Sequence, residues 1–230
     1  MTDMLPSLEA LAAKVTDGAM IALPPDYSGC ANALWRAVIR RGVKDLHLVG
    51  VPVFGYHGDL LIGAGCVAVA ETSAVTLGEH GLAPRFTAAV KAGSITVKDA
   101  TCPAIHAGLQ AAERGAPFST MRGLIGSDIL ARRDDWKVID NPFGDNDPVV
   151  AIPALTPDLA VFHAAKADRL GNVWIGVRRE LMVMAHAARD TLVTVEEIVD
   201  GDLTADPLTA AGTIPGLYVT AVAEAREGSW

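Results

Sequence analysis

Apolar and polar positions along this chain follow two periods that take turns. Ala19–Leu23, Asp45–Gly50, Cys66–Glu71 and Ser94–Lys98 are short apolar or β-branched runs of buried-strand length, with Ala19–Leu23 read as the first strand. Helical spacing separates them. Ala31, Leu34, Trp35, Val38 and Ile39 fall at i, i+3, i+4, i+7 and i+8, Arg36, Arg40 and Arg41 lie off that stripe, and Gly42 stops the helix. An amphipathic segment at Ser7–Gly18, a short helix within Tyr56–Gly65, and helices at Ala83–Gly93 and Pro103–Gly115 continue the pattern, the last opened by Pro103 and closed by Gly115.

Strands follow at Val149–Ile152, Leu159–His163, Val173–Ile175, Thr191–Ile198 and Gly216–Val222. One helix, Val177–Arg189, lies among them, its stripe formed by Val177, Leu181, Met184, Ala185 and Ala188. Residues Ala116–Asp147 are less regular and hold two Pro-Phe pairs. Strands alternating with amphipathic helices imply parallel pairing with right-handed crossovers. The expected fold class is α/β: a single open α/β/α domain over residues 1–230 with a largely parallel sheet and a mixed or antiparallel region.

Composition narrows the function. A chain of 230 residues, 50% hydrophobic, is ample for one sizeable core. Net charge of −8 supplies no basic field for a polyphosphate, so no nucleic-acid partner is expected. Cys30, Cys66 and Cys102 are odd in number and widely spaced, which fits a reduced cytoplasmic compartment and suggests neither a metal site nor a redox dithiol. No apolar run reaches the ~20 residues that span a bilayer, and the first residues do not resemble a leader. Gly63–Gly65 fails the dinucleotide context, because it lacks the third glycine and precedes a strand. Neither a P-loop nor a G-x-S-x-G elbow is present.

The joint Asp168-Arg169-Leu170-Gly171-Asn172, between the strand ending at His163 and the one resuming at Val173, reads as an architectural turn, with ligand contact as the alternative. In order along the chain, the segments Ala19–Gly50, Asp59–Gly65, Gly81–Asp99, Ala107–Asp128, Val138–Ile175, Ala187–Leu203 and Asp206–Val222 resemble the α, or A, subunit of class I coenzyme A transferases, most closely the glutaconate CoA-transferase type. That resemblance implies a CoA-transferase architecture of the NagB/RpiA-like class. It also implies a hetero-oligomer in which a B-subunit glutamate attacks the acyl-CoA thioester and this chain forms part of the acyl-substrate pocket. On that reading the chain carries no catalytic residue of its own, acyl-CoA and a carboxylic acid are its substrates, and CoA takes part as a substrate with no separate cofactor. Two alternatives remain: the A subunit of an acyl-CoA thioester or ring-cleaving hydrolase, and a non-catalytic small-molecule-binding α/β module.

Ligands of an open parallel sheet sit beyond the carboxyl ends of its strands, which selects the candidate substrate-binding residues. After the first strand, Pro24 and Pro25 stand where relatives show a glycine-rich turn, removing two amide donors and leaving hydroxyls of Tyr27 and Ser28, although Ser28 also suits a helix N-cap. Tyr56 and His57 follow the second, His57 serving otherwise as a surface-loop histidine. Glu71 and Ser73 follow the third; Glu71 needs donors if it is to stay ionised at a buried strand end, and loop amides are the simplest source. Cys102 stands near a place where relatives can carry an acidic residue, and reads either as a nucleophile without an evident base or as a buried inert thiol. Phe118 and Arg122 are candidates for facing substrate, with loop anchoring as the alternative.

Overall fold

A computed structural model describes residues 2–229. Strand β1 (Asp3–Leu5) and helix α1 (Leu8–Ala12) precede β2 (Met20–Leu23), so the run at Ala19–Leu23 is the second strand. Ser7 caps α1 by accepting the Ala10 N–H at 3.2 Å. Next come α2 (Asn32–Arg41), β3 (Leu46–Gly50), α3 (Tyr56–Gly63), β4 (Val67–Thr72), α4 (Pro84–Ala92), β5 (Thr96–Asp99) and α5 (Cys102–Glu113). Gly42 ends α2 in the left-handed conformation at φ 73°, as the spacing predicts.

The irregular stretch after α5 contains two strands that lack an apolar run, β6 (Phe118–Met121) and β7 (Lys137–Asp140). Both pair antiparallel with β8 (Pro148–Pro153) to form a small separate sheet. The chain then runs through β9 (Leu159–Asp168), β10 (Val173–Trp174), α6 (Arg179–Ala187), β11 (Asp190–Val199), β12 (Thr213–Ile214) and β13 (Ala221–Glu224). Three sequence expectations change here. β9 continues past His163 to Asp168, Gly216–Tyr218 is a helical turn ahead of β13, and α6 starts at Arg179, leaving Val177 83% exposed.

The large sheet has the order β1-β13-β11-β9-β2-β3-β4-β5, with every neighbouring pair parallel. β10 adds an antiparallel corner against β9 and β12. Successive side chains of β2 point to opposite faces: Ile21 and Leu23 join Leu11, Leu34, Trp35 and Val38 under α1 and α2, while Ala22 joins Ile105, Leu109, Leu181 and Met184 under α5 and α6. Both faces of the sheet are therefore covered, as a parallel sheet requires. No helix among the described residues is long and apolar enough to cross a membrane.

The polar joint after β9 is a clasp. The fully buried Asp168 carboxylate accepts the Leu170 N–H at 2.9 Å, the Asn172 N–H at 3.0 Å, the Asn172 side-chain amide at 2.8 Å and the Leu203 N–H at 2.9 Å. Asn172 in turn accepts the Gly216 N–H at 2.8 Å. Gly171 sits at φ 89°, and a β-carbon there would overlap the Thr2 side chain. The corner thus ties β9, β10 and the approach to β13 into one unit.

Candidate functional site

Strand order turns back on itself between β2 and β9, since β3, β4 and β5 lie to one side of β2 and β9, β11 and β13 to the other. The crevice beyond the carboxyl ends of strands at such a point is where open α/β sheets hold ligands. The connections after β2, β3, β4 and β5 are among those that leave that edge. Asp26, in the first, accepts the Tyr56 N–H through both carboxylate oxygens at 3.0 and 2.9 Å. Gly55 makes the approach possible, because a β-carbon there would overlap the Asp26 carboxylate.

Ser73 donates to the Pro52 carbonyl at 3.0 Å, and its Oγ lies 3.1 Å from the Cys102 Sγ. A bridge between Phe54 and Val75 closes the gap between those loops. Tyr27, Tyr56, Ser73 and Cys102 therefore belong to one rim, with Tyr27 and Tyr56 exposed. Cys102 is the first residue of α5 and is exposed, which corrects the expectation of a buried thiol. Cys30 and Cys66 are the buried ones, and burial pushes both thiols above their ordinary pKa.

Beside the rim, the β2–α2 loop lies directly on β9. The His163 N–H donates to the Gly29 carbonyl at 2.7 Å, and a β-carbon on Gly29, at φ 83°, would overlap the His163 carbonyl. Ser28 is buried and does not cap α2, whose cap is Ala31; its hydroxyl donates to the Glu180 carboxylate in the first turn of α6. An open hollow of about 500 Å³ is bounded here by Ser28, His163, Trp174, Val177, Arg178 and Glu196. The Arg178 guanidinium stands 5.5 Å from the Tyr27 ring centre. His163 bridges Thr194 and Glu196, each at 2.8 Å, and burial lowers its pKa despite the opposing pull of Glu196.

The other candidates lie away from the rim. Glu71 faces the α5 side of the sheet, and its donors are side chains where loop amides were expected: Arg133 at 2.7 Å, His47 at 3.0 Å and Lys98 at 3.5 Å. Arg133 also pairs with Asp135 at 2.8 Å and stacks 4.0 Å from the Trp136 ring centre. Burial alone would raise the Glu71 carboxyl, but the His47 hydrogen bond and the charges of Arg133 and Lys98 hold it below the usual range. Asp135 resists burial in the same way and is pulled down to about 2 by hydrogen bonds from Arg133 and Lys98.

His57 corrects the reading of a surface loop. It belongs to the first turn of α3 and is fully buried, neither ring nitrogen has a hydrogen-bond partner, and burial pushes its pKa down to about 4. Phe118 follows α5 and is separated from Cys102 by that helix, about 18 Å of rise for its twelve residues. Arg122 forks onto Asp147, with Nε donating to Oδ1 at 2.7 Å, and so anchors the loop between β7 and β8. Asp26, Arg178 and Glu180, not singled out from sequence, and His163, noted there only as the end of a strand, complete the surroundings of the rim. Only the position of Asp26 next to the pair Pro24-Pro25 could have signalled its place.

A family model described as Coenzyme A transferase matches residues 6–225. The chain is 36% identical to the A subunit of the 3-oxoadipate CoA-transferase of Pseudomonas knackmussii over an alignment covering all of this chain and 81% of that protein. The crystal structure of glutaconate coenzyme A-transferase from Acidaminococcus fermentans superimposes with a TM-score of 0.87 at 30% identity, covering all of this chain and 76% of that one. The chain is also 33% identical to the cholesterol ring-cleaving hydrolase IpdA subunit of Rhodococcus jostii, over 73% of this chain and 59% of that protein.

Proposed function

Because the chain belongs to the coenzyme A transferase family, we propose that it is the A subunit of a hetero-oligomer that moves CoA from an acyl-CoA to a carboxylic acid, with the nucleophile supplied by a B subunit. The observation that carries this reading is the commitment of the carboxylates around the rim. Asp26 holds the Tyr56 amide, Glu180 holds Ser28, and Glu196 holds His163 and the Glu227 N–H. Each accepts a hydrogen bond from this chain's own donors, so none stands as an unpaired carboxylate. A glutamate from a second subunit, docked on this rim, would attack the thioester carbonyl and expel CoA as its thiolate. The thiolate would then attack the glutamyl carbonyl of the mixed anhydride and release the first acid. The second acid's carboxylate would attack the resulting glutamyl-CoA thioester, and the sequence would run in reverse.

Tyr27, Tyr56, Ser73 and Cys102 would line this chain's side of the acyl site, and Ser28 would position the loop through Glu180. Each tetrahedral intermediate develops an oxyanion that needs aligned donors. Pro24 and Pro25 contribute no amide hydrogens, so hydroxyls or the partner would supply them. A second reading, hydrolysis by the same type of assembly, draws support from the likeness to the ring-cleaving hydrolase subunit.

The test is co-expression with a candidate B subunit, followed by assay with and without an acceptor acid. The isolated chain is expected to be inactive, and the complex to transfer CoA at least ~10³-fold faster, within the range of a nucleophile's contribution. A B-subunit glutamyl-CoA adduct should appear by mass spectrometry. Equal transfer by the isolated chain would overturn the reading, and turnover independent of acceptor would select hydrolysis. Iodoacetamide should modify the exposed Cys102 ahead of the buried Cys30 and Cys66. Transfer by the complex should fall at least tenfold, while a Cys102→Ser complex should keep its rate and resist the reagent.

A further inference from the structure

Three metal-ligating groups meet beneath the rim, beside the Tyr27 and Tyr56 positions assigned to the acyl site. Asp26, Cys30 and His57 each offer one ligand atom, and these atoms lie within 4.8 Å of one another. Asp26 is exposed, whereas Cys30 and His57 are buried. The Cys30 Sγ is 3.8 Å from Asp26 Oδ1. A tetrahedral ion with ligand bonds of roughly 2.0–2.3 Å holds its ligand atoms about 3.5 Å apart, so small side-chain adjustments would close the cluster around one ion.

The second observation is the state of His57. A fully buried imidazole with neither nitrogen hydrogen-bonded is costly, and such groups in folded proteins usually have a partner. Phe54 sits on one side of the ring with 6.5 Å between centres and supplies no acceptor atom. A bound ion would give one nitrogen the partner it lacks. Gly55 and Gly58 permit the local packing: β-carbons there would overlap the Asp26 carboxylate and the Phe54 ring, respectively.

We propose that Asp26, Cys30 and His57 form a binding site for one divalent transition-metal ion of the zinc class. Thiolate and imidazole ligands select such ions over magnesium and calcium, and the carboxylate completes a three-ligand set that leaves one tetrahedral position open. Because Asp26 is the exposed member, ion entry and the open position lie on its side, next to the Tyr56 amide that it holds. On binding, the Cys30 thiol gives its proton to solvent and its sulfur forms the metal bond, with no change of oxidation state. A carboxylate or water oxygen is the ligand class suited to the fourth position.

The full chain, with any subunit that co-purifies, would be stripped with chelator and titrated with Co²⁺. One equivalent should bind, with visible bands of tetrahedral cobalt and a near-ultraviolet thiolate-to-cobalt charge-transfer band, both displaced by Zn²⁺. Cys30→Ala should abolish the charge-transfer band. Asp26→Asn, a change at an exposed position that keeps an acceptor for the Tyr56 amide, should weaken Co²⁺ binding at least tenfold while circular dichroism stays unchanged. Absence of the charge-transfer band in the wild type, its persistence in Cys30→Ala, or unchanged affinity in Asp26→Asn would overturn the proposal. None of these readouts depends on transferase activity.

Discussion

Replacing Arg133 with leucine is expected to lower the free energy of unfolding by ~3–5 kcal/mol, measured by urea denaturation at neutral pH. Arg133 is one of two cations, with Lys98, that Glu71 and Asp135 share, and Glu71 is almost completely enclosed. Removing one member of a buried pair leaves its partner's charge without compensation, and Lys98 and His47 cover only one Glu71 oxygen. The pH dependence should change with it. Glu71 and Asp135 have folded-state pKa values below their unfolded ones, so their stabilisation is present above the unfolded carboxylate range and is lost as pH falls through the folded values. Wild-type stability should therefore decline on acidification from about pH 5 towards pH 2. In Arg133→Leu, burial of Glu71 is no longer outweighed by the guanidinium, so the variant should lose less over the same interval. A variant within about 1 kcal/mol of wild type would show that the network contributes only at the level of a surface pair.

Asp168→Ala is expected to cost a similar amount, roughly 3–5 kcal/mol, because four N–H donors lose one carboxylate in a place that water does not readily reach. The damage should spread beyond the turn. Leu203 and, through Asn172, Gly216 are held from the same point, so hydrogen exchange should accelerate at all three segments together. Asp168→Asn keeps one acceptor oxygen but presents an amide to the other donors, and should recover only part of the loss. Confinement of faster exchange to Leu170 and Asn172 would mean that the clasp is merely local.

These two sites show what the sequence made legible. The Asp-x-x-Gly-Asn turn was readable because every interaction that shapes its tip is local: Asp168 reaches residues two and four positions on, and Gly171 needs its positive φ. Helix α2 was readable for the same reason, since its buried stripe and its Gly42 stop are both short-range signals. The Glu71–Arg133 pair was not, because its members are 62 positions apart and meet only after β4 and the loop following β6 have packed. β1, β6 and β7 were missed because Asp3–Leu5, Phe118–Met121 and Lys137–Asp140 have no strand pattern of their own and depend on registers supplied by β13 and β8. His57 was misplaced because its flanking glycines suggested a loop, whereas Gly58 makes room for the Phe54 ring and Gly55 for Asp26. The resemblance to coenzyme A transferases rested on long collinear segments, and the family match over residues 6–225 agrees with it.

The placement of the β2–α2 loop bears on the timing of synthesis. That loop carries Tyr27 near the beginning of the chain, yet it rests on His163, and the Asn32 side chain just beyond it donates to the Ser229 carbonyl, 197 positions downstream. On a ribosome, β2 to β5 and their helices can assemble while the loop still has nothing to lie on. It can reach its final position only after β9 and the segment following β13 have emerged. Contacts of such sequence separation form slowly. The surface proposed for a partner subunit is thus among the last parts of the molecule to be completed, and a nascent chain would not present it finished before then.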